Sequence, residues 1–419
     1  MNNYTTLIYS LKRKIVNFSK KICKGCSKPV TKFVVDMLMG ITECQKVHLS
    51  SIARALKENI SLKKTIERLS RNLMETTNLN FVFDNYLKEI KEDINDRSIV
   101  IIDGSEVVKP ASTVLEKMCD VRDGSTGEIS KGYWMLEMMI LSSKNKLPLP
   151  IYSKIYSSKE EEYISEDDEV LKGLKQIEKS VSKKSIRTMD RGYDANIYYE
   201  YYLTKNIPFV IRAKKNRNVV YKGKTQNIMT VAKQHKGKYK MNFKGKNGKN
   251  VELKISIISV NLCEFKEKKV NLIVVYGFGE EPMLLISNLE SKDERIAEVI
   301  TKVYLMRWKI EEYFKFKKQQ FKFEDFRIRK INGIKNLNIL VTILIGFLGL
   351  MSEKHKTSKL VMEIIGKSRR IYGKKKFVYY AIADGIYEIL KKSTKGIKDL
   401  LCQKAPNITG QIDILYNVV

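Results

Sequence analysis

Residues 304–318 read Tyr304-Leu-Met-Arg307-Trp-Lys-Ile-Glu311-Glu-Tyr-Phe-Lys-Phe-Lys-Lys318. Wound as a helix at about 100° per residue, the stretch places Tyr304, Arg307, Glu311 and Lys318 within roughly 60° of one another. A phenol, a guanidinium, a carboxylate and an ammonium then share one stripe. Such a stripe can hold a metal ion through its carboxylate and grip phosphates with the groups around it. The same residues also make an ordinary amphipathic surface helix with an Arg307–Glu311 pair at i,i+4, in the less favourable of the two orders. The stretch alone leaves both readings open, and the rest of the chain decides between them.

The chain has 419 residues, enough for a large core and for more than one domain. Hydrophobic residues make up 43% of it, which argues against wholesale disorder. A formal net charge of +31 points to a polyanionic partner, with nucleic acid ahead of an anionic membrane surface. The longest apolar run, Leu337 to Met351, contains Asn338 and at about 15 residues is too short to span a bilayer, so it reads as a buried helix. The first residues offer no continuous apolar segment and no small-residue cleavage site, which argues against a signal peptide. Six scattered cysteines in a Lys-rich chain suit reduced thiols in a cytoplasm. Cys23-Lys-Gly-Cys26 has the spacing of half a zinc site, but no second pair follows, and His48, His235 and His355 stand alone. Abundant Lys, Asn and Ile fit an AT-rich bacterial host, and the expected location is its cytoplasm, on the nucleoid.

Residues 1–95 read as helical, without strand signal. Val47 to Leu56 and Ser61 to Arg71 form two short amphipathic helices separated by a break at Asn59, and the second carries Lys63, Lys64, Arg68 and Arg71. This suits a helix-turn-helix-like DNA contact, the alternative being a helical bundle with a solvated basic face. From Arg97 the pattern changes. Ser98-Ile-Val-Ile-Ile102 is a β-branched run ending in Asp103-Gly104-Ser105, and reads as a buried central strand. Strands follow at Tyr133 to Ser142 and Leu149 to Tyr156, then a helix near 166–180 opened by a capping-box pair, Ser165 and Asp168. The acids of Glu160 to Glu169 are explained by that helix start rather than by metal binding. Ile186 to Met189 is another strand, ended by Asp190-Arg-Gly-Tyr-Asp194, and a helix at 195–205 and the strand Pro208 to Arg212 complete the core.

Between Tyr201 and Val251 there is no acidic residue, while Arg212 to Asn250 holds 13 Lys and Arg. A run of one sign favours phosphate binding over a merely solvated face. Short strand-like pieces at 219–222, 239–244, 251–260, 270–278 and 283–286 make this a β-rich basic insertion. Helices return at 292–320 and 331–351, and the tail 352–419 is helical and basic. Its Gly366-Lys-Ser368 is not a phosphate-binding loop, because Val361 stands where the first Gly belongs.

Asp103 and Asp190 each follow a β-run. If those strands are parallel neighbours, their ends lie about 4.8 Å apart and two carboxylates can bracket one ion. Each Asp-Gly or Asp-Arg-Gly is also an ordinary turn sequence. With Glu311 the set becomes three hard oxygen ligands without His or Cys, which selects Mg²⁺ or Mn²⁺ over zinc. Two such ions about 3.5–4 Å apart would serve in-line displacement at phosphorus.

The spacing Tyr304-x2-Arg307-x3-Glu311-x6-Lys318 resembles the Tyr-Arg-Glu-Lys signature of bacterial insertion-sequence transposases with an Asp-Asp-Glu (DDE) active site. The surroundings of Asp190 and of Asp103 are similar to those of that family's two Asp residues, and the resemblance covers roughly residues 45–350. It implies an α/β, RNase H-like (retroviral-integrase-like) core interrupted by a β-rich insertion, here within the 121 residues between Asp190 and Glu311. The implied organisation is a helical DNA-binding region at 1–95, the core at 96–212 and 287–351, the insertion at 213–286 and a helical C-terminal region at 352–419. It implies Asp103, Asp190 and Glu311 as catalytic metal ligands for Mg²⁺, with Mn²⁺ as substitute. It implies that Tyr304, Arg307 and Lys318 hold DNA phosphates, and Arg191, Lys214 and Lys215 join them in the expected DNA contacts with Lys63, Lys64, Arg68 and Arg71. Relatives stack an insertion aromatic on a flipped base. Trp134 and Trp308 both lie outside the insertion, leaving Tyr276 or Phe278 for that role. The expected activity is DNA transposition: binding the terminal inverted repeats, cutting there and joining 3′ ends to target DNA, as a homodimer on paired ends, with no membrane and no small-molecule substrate. A transposase-derived DNA-binding protein without catalysis, and an RNase H-like nuclease that does not join strands, are the alternatives.

Overall fold

The β-branched run at 99–102 begins a strand far longer than its apolar part, and the core is assembled on it. The computed structural model describes residues 2–76, 79–124, 126–142, 146–244, 250–290, 295–354, 356–369 and 378–397. His355 and the portions of the expected C-terminal region at 370–377 and 398–419 lie outside the described residues. The chain opens with α1 (Asn2–Ile22), α2 (Lys28–Cys44), α3 (Leu49–Leu56), α4 (Leu62–Glu75) and α5 (Leu79–Glu89). There follow β1 (Ile99–Val108), β2 (Cys119–Arg122), β3 (Ile129–Leu141), β4 (Pro148–Tyr156), α6 (Glu166–Ile177), β5 (Ile186–Met189), α7 (Asn196–Thr204) and β6 (Phe209–Arg212). The basic region holds β7 (Asn218–Tyr221), β8 (Lys224–Asn227), α8 (Ile228–Lys233), β9 (Tyr239–Lys244), β10 (Asn250–Leu262), β11 (Phe265–Tyr276) and β12 (Met283–Ser287). Five helices come last: α9 (Arg295–Leu305), α10 (Lys309–Gln320), α11 (Ile331–Glu353), α12 (Lys359–Gly366) and α13 (Val378–Leu390). The strands β2 and β8 and the helix α8 were not expected from the sequence; all three are too short to show a period.

Two compact units result: Tyr86–Lys318, and Met1–Asn85 with Gln319–Val419. In the first, β3 runs antiparallel to β1, while β5 and β6 run parallel to it. The far edge of β3 is shared by β2, against 129–132, and β4, against 134–141. The spatial order β4-β3-β1-β5-β6 is a mixed sheet consistent with an RNase H-like core. β12 then pairs antiparallel with β6, and β11, β10, β7 and β8 extend the same sheet. The continuous apolar runs of β1 and β3 fit strands covered on both faces. α6 starts where Ser165 accepts a hydrogen bond from the Asp168 backbone N–H at 3.1 Å, as the capping pair predicted.

Asp103-Gly104 is not a turn. β1 continues through it to Val108, because pairing with β3 overrides the local turn preference. That continuation depends on Gly132 of β3, where a Cβ would stand 2.1 Å from the Val107 carbonyl oxygen.

The second unit is helical. α11 is 23 residues long, so the apolar run at 337–351 is part of a helix that by length and composition could cross a membrane, yet 83% of its apolar window is buried inside the protein. α2, α4 and α13 pack against it. The two short helices expected around Asn59 are α3 and α4, and Ser61 caps α4.

Candidate active site

Register brings the two aspartates together. Ile102 of β1 pairs with Met189 of β5, so Asp103 and Asp190 are the next residues along two parallel, adjacent strands. Asp190 leaves β5 into the 3-10 turn Arg191–Tyr193. The expected single helix over 304–318 is instead α9, a 3-10 turn at Met306–Trp308, and α10. A 3-10 turn winds at about 120° per residue rather than 100°, which rotates the stripe without dispersing it. Tyr304, in the last turn of α9, donates its hydroxyl to Asp190 Oδ1 at 2.8 Å. Arg307, in the tight turn, donates from Nη1 to Asp103 Oδ2 and from Nη2 to Glu311 Oε1, both at 2.7 Å. One guanidinium thus spans two carboxylates, while its buried Nε finds no acceptor among the described residues.

The charges explain one another. Burial, reinforced by the neighbouring carboxylates of Asp190 and Glu311, pushes the Asp103 carboxyl up to about 7 against the opposite pull of Arg307. Burial also works against Asp190, but Arg307, the Arg191 backbone N–H, the Tyr304 hydroxyl and Arg212 together hold it below the usual carboxylate range. Burial and Asp190 raise the Tyr304 phenol to about 12, so it remains a donor. Two adjacent acids therefore differ in their readiness to ionise.

The remaining site residues predicted from sequence fall into distinct settings. Lys318 pairs with Glu106 at 3.0 Å. Arg191 is exposed beside Asp190. Lys214 donates its backbone N–H to Asp194 Oδ2 at 2.6 Å, and Lys215 forms an exposed ion pair with Glu281. In the helical unit, Lys63, Lys64 and Arg71 lie exposed on α4. Arg68 does not: it turns toward α2, reaching Asp36 at 2.8 Å and Glu58 at 2.6 Å, with Lys32 bound to the same two acids. These pairs give Arg68 a structural role, since a buried carboxylate such as Asp36 demands a partner. Tyr276 is tied by its hydroxyl to the Ala232 carbonyl at 3.0 Å, whereas Phe278 is 45% exposed and meets Phe243 edge-on. Cys23 is buried, its thiol pushed up to about 12 by that burial, and no group of metal ligands surrounds the pair among the described residues.

Sequence reasoning missed Asp194, the second acid of the Asp190–Asp194 segment. It is buried and receives Tyr199 Oη and Arg217 Nε, both at 2.6 Å, locking the loop after Asp190 to the start of the basic region. It missed Glu137 and Lys317 as well, a fully buried pair whose partners lie far apart in the chain.

The donor set fits a hard divalent cation: three carboxylates, no thiol or imidazole, and one of them, Asp103, raised by burial and by its acidic neighbours toward its protonated form, which a bound cation would reverse. Among the described residues no three acids already stand as ligands of one ion, because the Arg307 guanidinium lies between Asp103 and Glu311.

Residues 158–347 match the family described as transposase DDE domain. That stretch is similar to a transposase DDE domain. The match takes in Asp190 and Glu311 and begins beyond Asp103. No curated protein matches the chain. Among solved structures the chain is similar to a synaptic complex of piggyBac transposase with hairpin DNA, at 11% identity and a TM-score of 0.43 over 98% of this chain and 86% of that one. It is also similar to the NurA nuclease from Sulfolobus solfataricus, at 14% identity and a TM-score of 0.29 over 70% of this chain and 98% of that one. Likenesses of that strength carry no argument, so the reading rests on the DDE domain and the acids within it.

Proposed function

We propose that the chain is a DNA transposase that binds the terminal inverted repeats of an insertion sequence, cleaves at the ends and transfers the 3′ ends into target DNA. The observation that carries this is the gathering of three acids by two neighbouring side chains, Asp103 and Glu311 by Arg307 and Asp190 by Tyr304, two of the acids falling inside the matched DDE domain. Asp103, Asp190 and Glu311 would hold Mg²⁺ or Mn²⁺, which when bound supplies Lewis acidity at the scissile phosphorus and a more acidic attacking hydroxyl.

The chain's own residues do the rest. Arg307 must leave Asp103 and Glu311 before both acids can serve as ligands, and the freed guanidinium is then suited to a scissile-strand phosphate. Tyr304 keeps Asp190 oriented through its hydroxyl. Lys318, Arg191, Lys214 and Lys215 supply phosphate contacts around the acids, and Lys63, Lys64 and Arg71 a separate contact on α4. A net charge of +31 supports the polyanionic partner. Paired ends require a homodimer, for which the region 352–419 is the candidate contact.

The test is incubation of the protein with linear DNA bearing the element's ends and Mg²⁺, scored for nicking and for strand joining. Both products are expected. Binding without cleavage would instead mean a DNA-binding relative without catalysis, and cleavage without joining a nuclease.

A further inference from the structure

We infer that the buried pair Glu137–Lys317 is a positioning device that sets the register of α10, and thereby of Glu311, against Asp103. This rests on the reading of those acids as metal ligands. Asp103 of β1 pairs directly with Glu137 of β3, and Glu137 directly with Ser153 of β4. Directly opposed residues of antiparallel strands point to the same face, so these three form one row across the sheet. The segment 307–317 lies over that row. Arg307 reaches its first member, and Tyr313 and Lys317 reach the other two. Lys317 Nζ donates to Glu137 Oε1 at 2.5 Å, Ser153 Oγ donates to the same oxygen at 2.7 Å, and Tyr313 Oη donates to Oε2 at 3.2 Å. Glu137 and Lys317 are both 0% exposed.

A buried ion pair contributes little net stability compared with well-packed apolar residues, because removing both charges from water costs about what their attraction returns. What it adds is direction. An apolar helix face can slide or rotate over a sheet at small cost, whereas a carboxylate with three directed donors fixes one setting of the helix. Lys317 lies about 9 Å along α10 from Glu311, within the same rigid rod. A shift at one end is carried to the other, and outer partners of metal ligands typically alter affinity about 10–100-fold.

The double variant Glu137→Gln/Lys317→Met can keep the Ser153 hydrogen bond at the amide oxygen, lets the amide nitrogen donate to the Tyr313 hydroxyl, and retains the lysine stem while deleting both charges. It is expected to unfold with a midpoint close to wild type, to bind Mn²⁺ about tenfold more weakly by electron paramagnetic resonance of the free ion, and to lose about tenfold in kcat with KM for end DNA unchanged. Glu137→Asp, which retains the charge but retracts the carboxylate, should fold and show the same split in milder form. Wild-type Mn²⁺ affinity and kcat in the double variant overturn the inference, as does a double variant that unfolds while Glu137→Asp retains full kcat. If wild-type protein neither binds Mn²⁺ nor cuts, the ligand assignment itself fails, a result distinct from either.

Discussion

Replacing Asp103 by Asn should stabilise the metal-free protein while abolishing cleavage, and the gain should depend on pH. The rise of this carboxyl from 3.8 to about 7 corresponds to about 4 kcal/mol in favour of its protonated form. Below pH 3.8 the folded and unfolded chains both hold the proton. As pH climbs from 3.8 to about 7 the unfolded chain has released it and the native one has not, so stability falls; above about 7 the full penalty applies. Asn keeps the shape and an oxygen for Arg307 but cannot ionise. Part of the gain is returned because Arg307 loses a charged acceptor, leaving about 2–4 kcal/mol at pH 8.5 and about 1 kcal/mol or less at pH 4.5. Urea unfolding in chelator, followed by tryptophan fluorescence, is the appropriate assay. Both tryptophans, Trp134 and Trp308, lie in the unit that holds Asp103, so the signal reports that unit. Destabilisation by Asn at pH 8.5, or an equal gain at both pH values, would refute the electrostatic account of the site.

Glu311→Gln should remove cleavage but leave end binding within about twofold, since it deletes a ligand charge without removing a phosphate contact; residual cutting by this variant in a nicking assay would show that the third ligand is misassigned. Lys318→Ala should weaken DNA binding and reduce the slope of log affinity against log salt by about one; an unchanged slope in a filter-binding titration would leave Lys318 as the partner of Glu106 and nothing more. Asp194→Ala should cost about 3–5 kcal/mol by urea unfolding, because Arg217 is left largely buried with its main acceptor gone.

How much of this was readable in advance depended on the distance over which each signal acts. The strand at 186–189 and the capped start of α6 are local, and their residue types announced them. The extension of β1 through Asp103-Gly104 was hidden, since a turn-prone dipeptide is held straight only by β3, whose Gly132 gives no hint of what it approaches. The stripe of Tyr304, Arg307 and Glu311 was visible although the helix carrying it is broken, because a single tight turn leaves neighbours three and four apart on one side. Arg68 looked like its basic neighbours on α4, and only the distant Asp36 and Glu58 distinguish it. Lys317 and Lys318 are alike in sequence, yet a rotation of about 100° sends one into the sheet and the other to Glu106. The side-by-side placement of Asp103 and Asp190 on neighbouring strands was legible; the partners that hold those residues in place come from elsewhere in the chain and were not.

The pairing of β12 with β6 makes a measuring stick of the sheet. Between β5, which delivers Asp190, and β10, in the middle of the basic lobe, lie β6, β12 and β11, each joined to the next by backbone hydrogen bonds. Four steps of about 4.8 Å put β10 about 19 Å from β5. A duplex gripped at both places would be held about six base-pair rises from the point of chemistry. That spacing is written in peptide geometry rather than in side chains, so substitutions on the lobe can change how firmly DNA is held but not how far from the acids it is held.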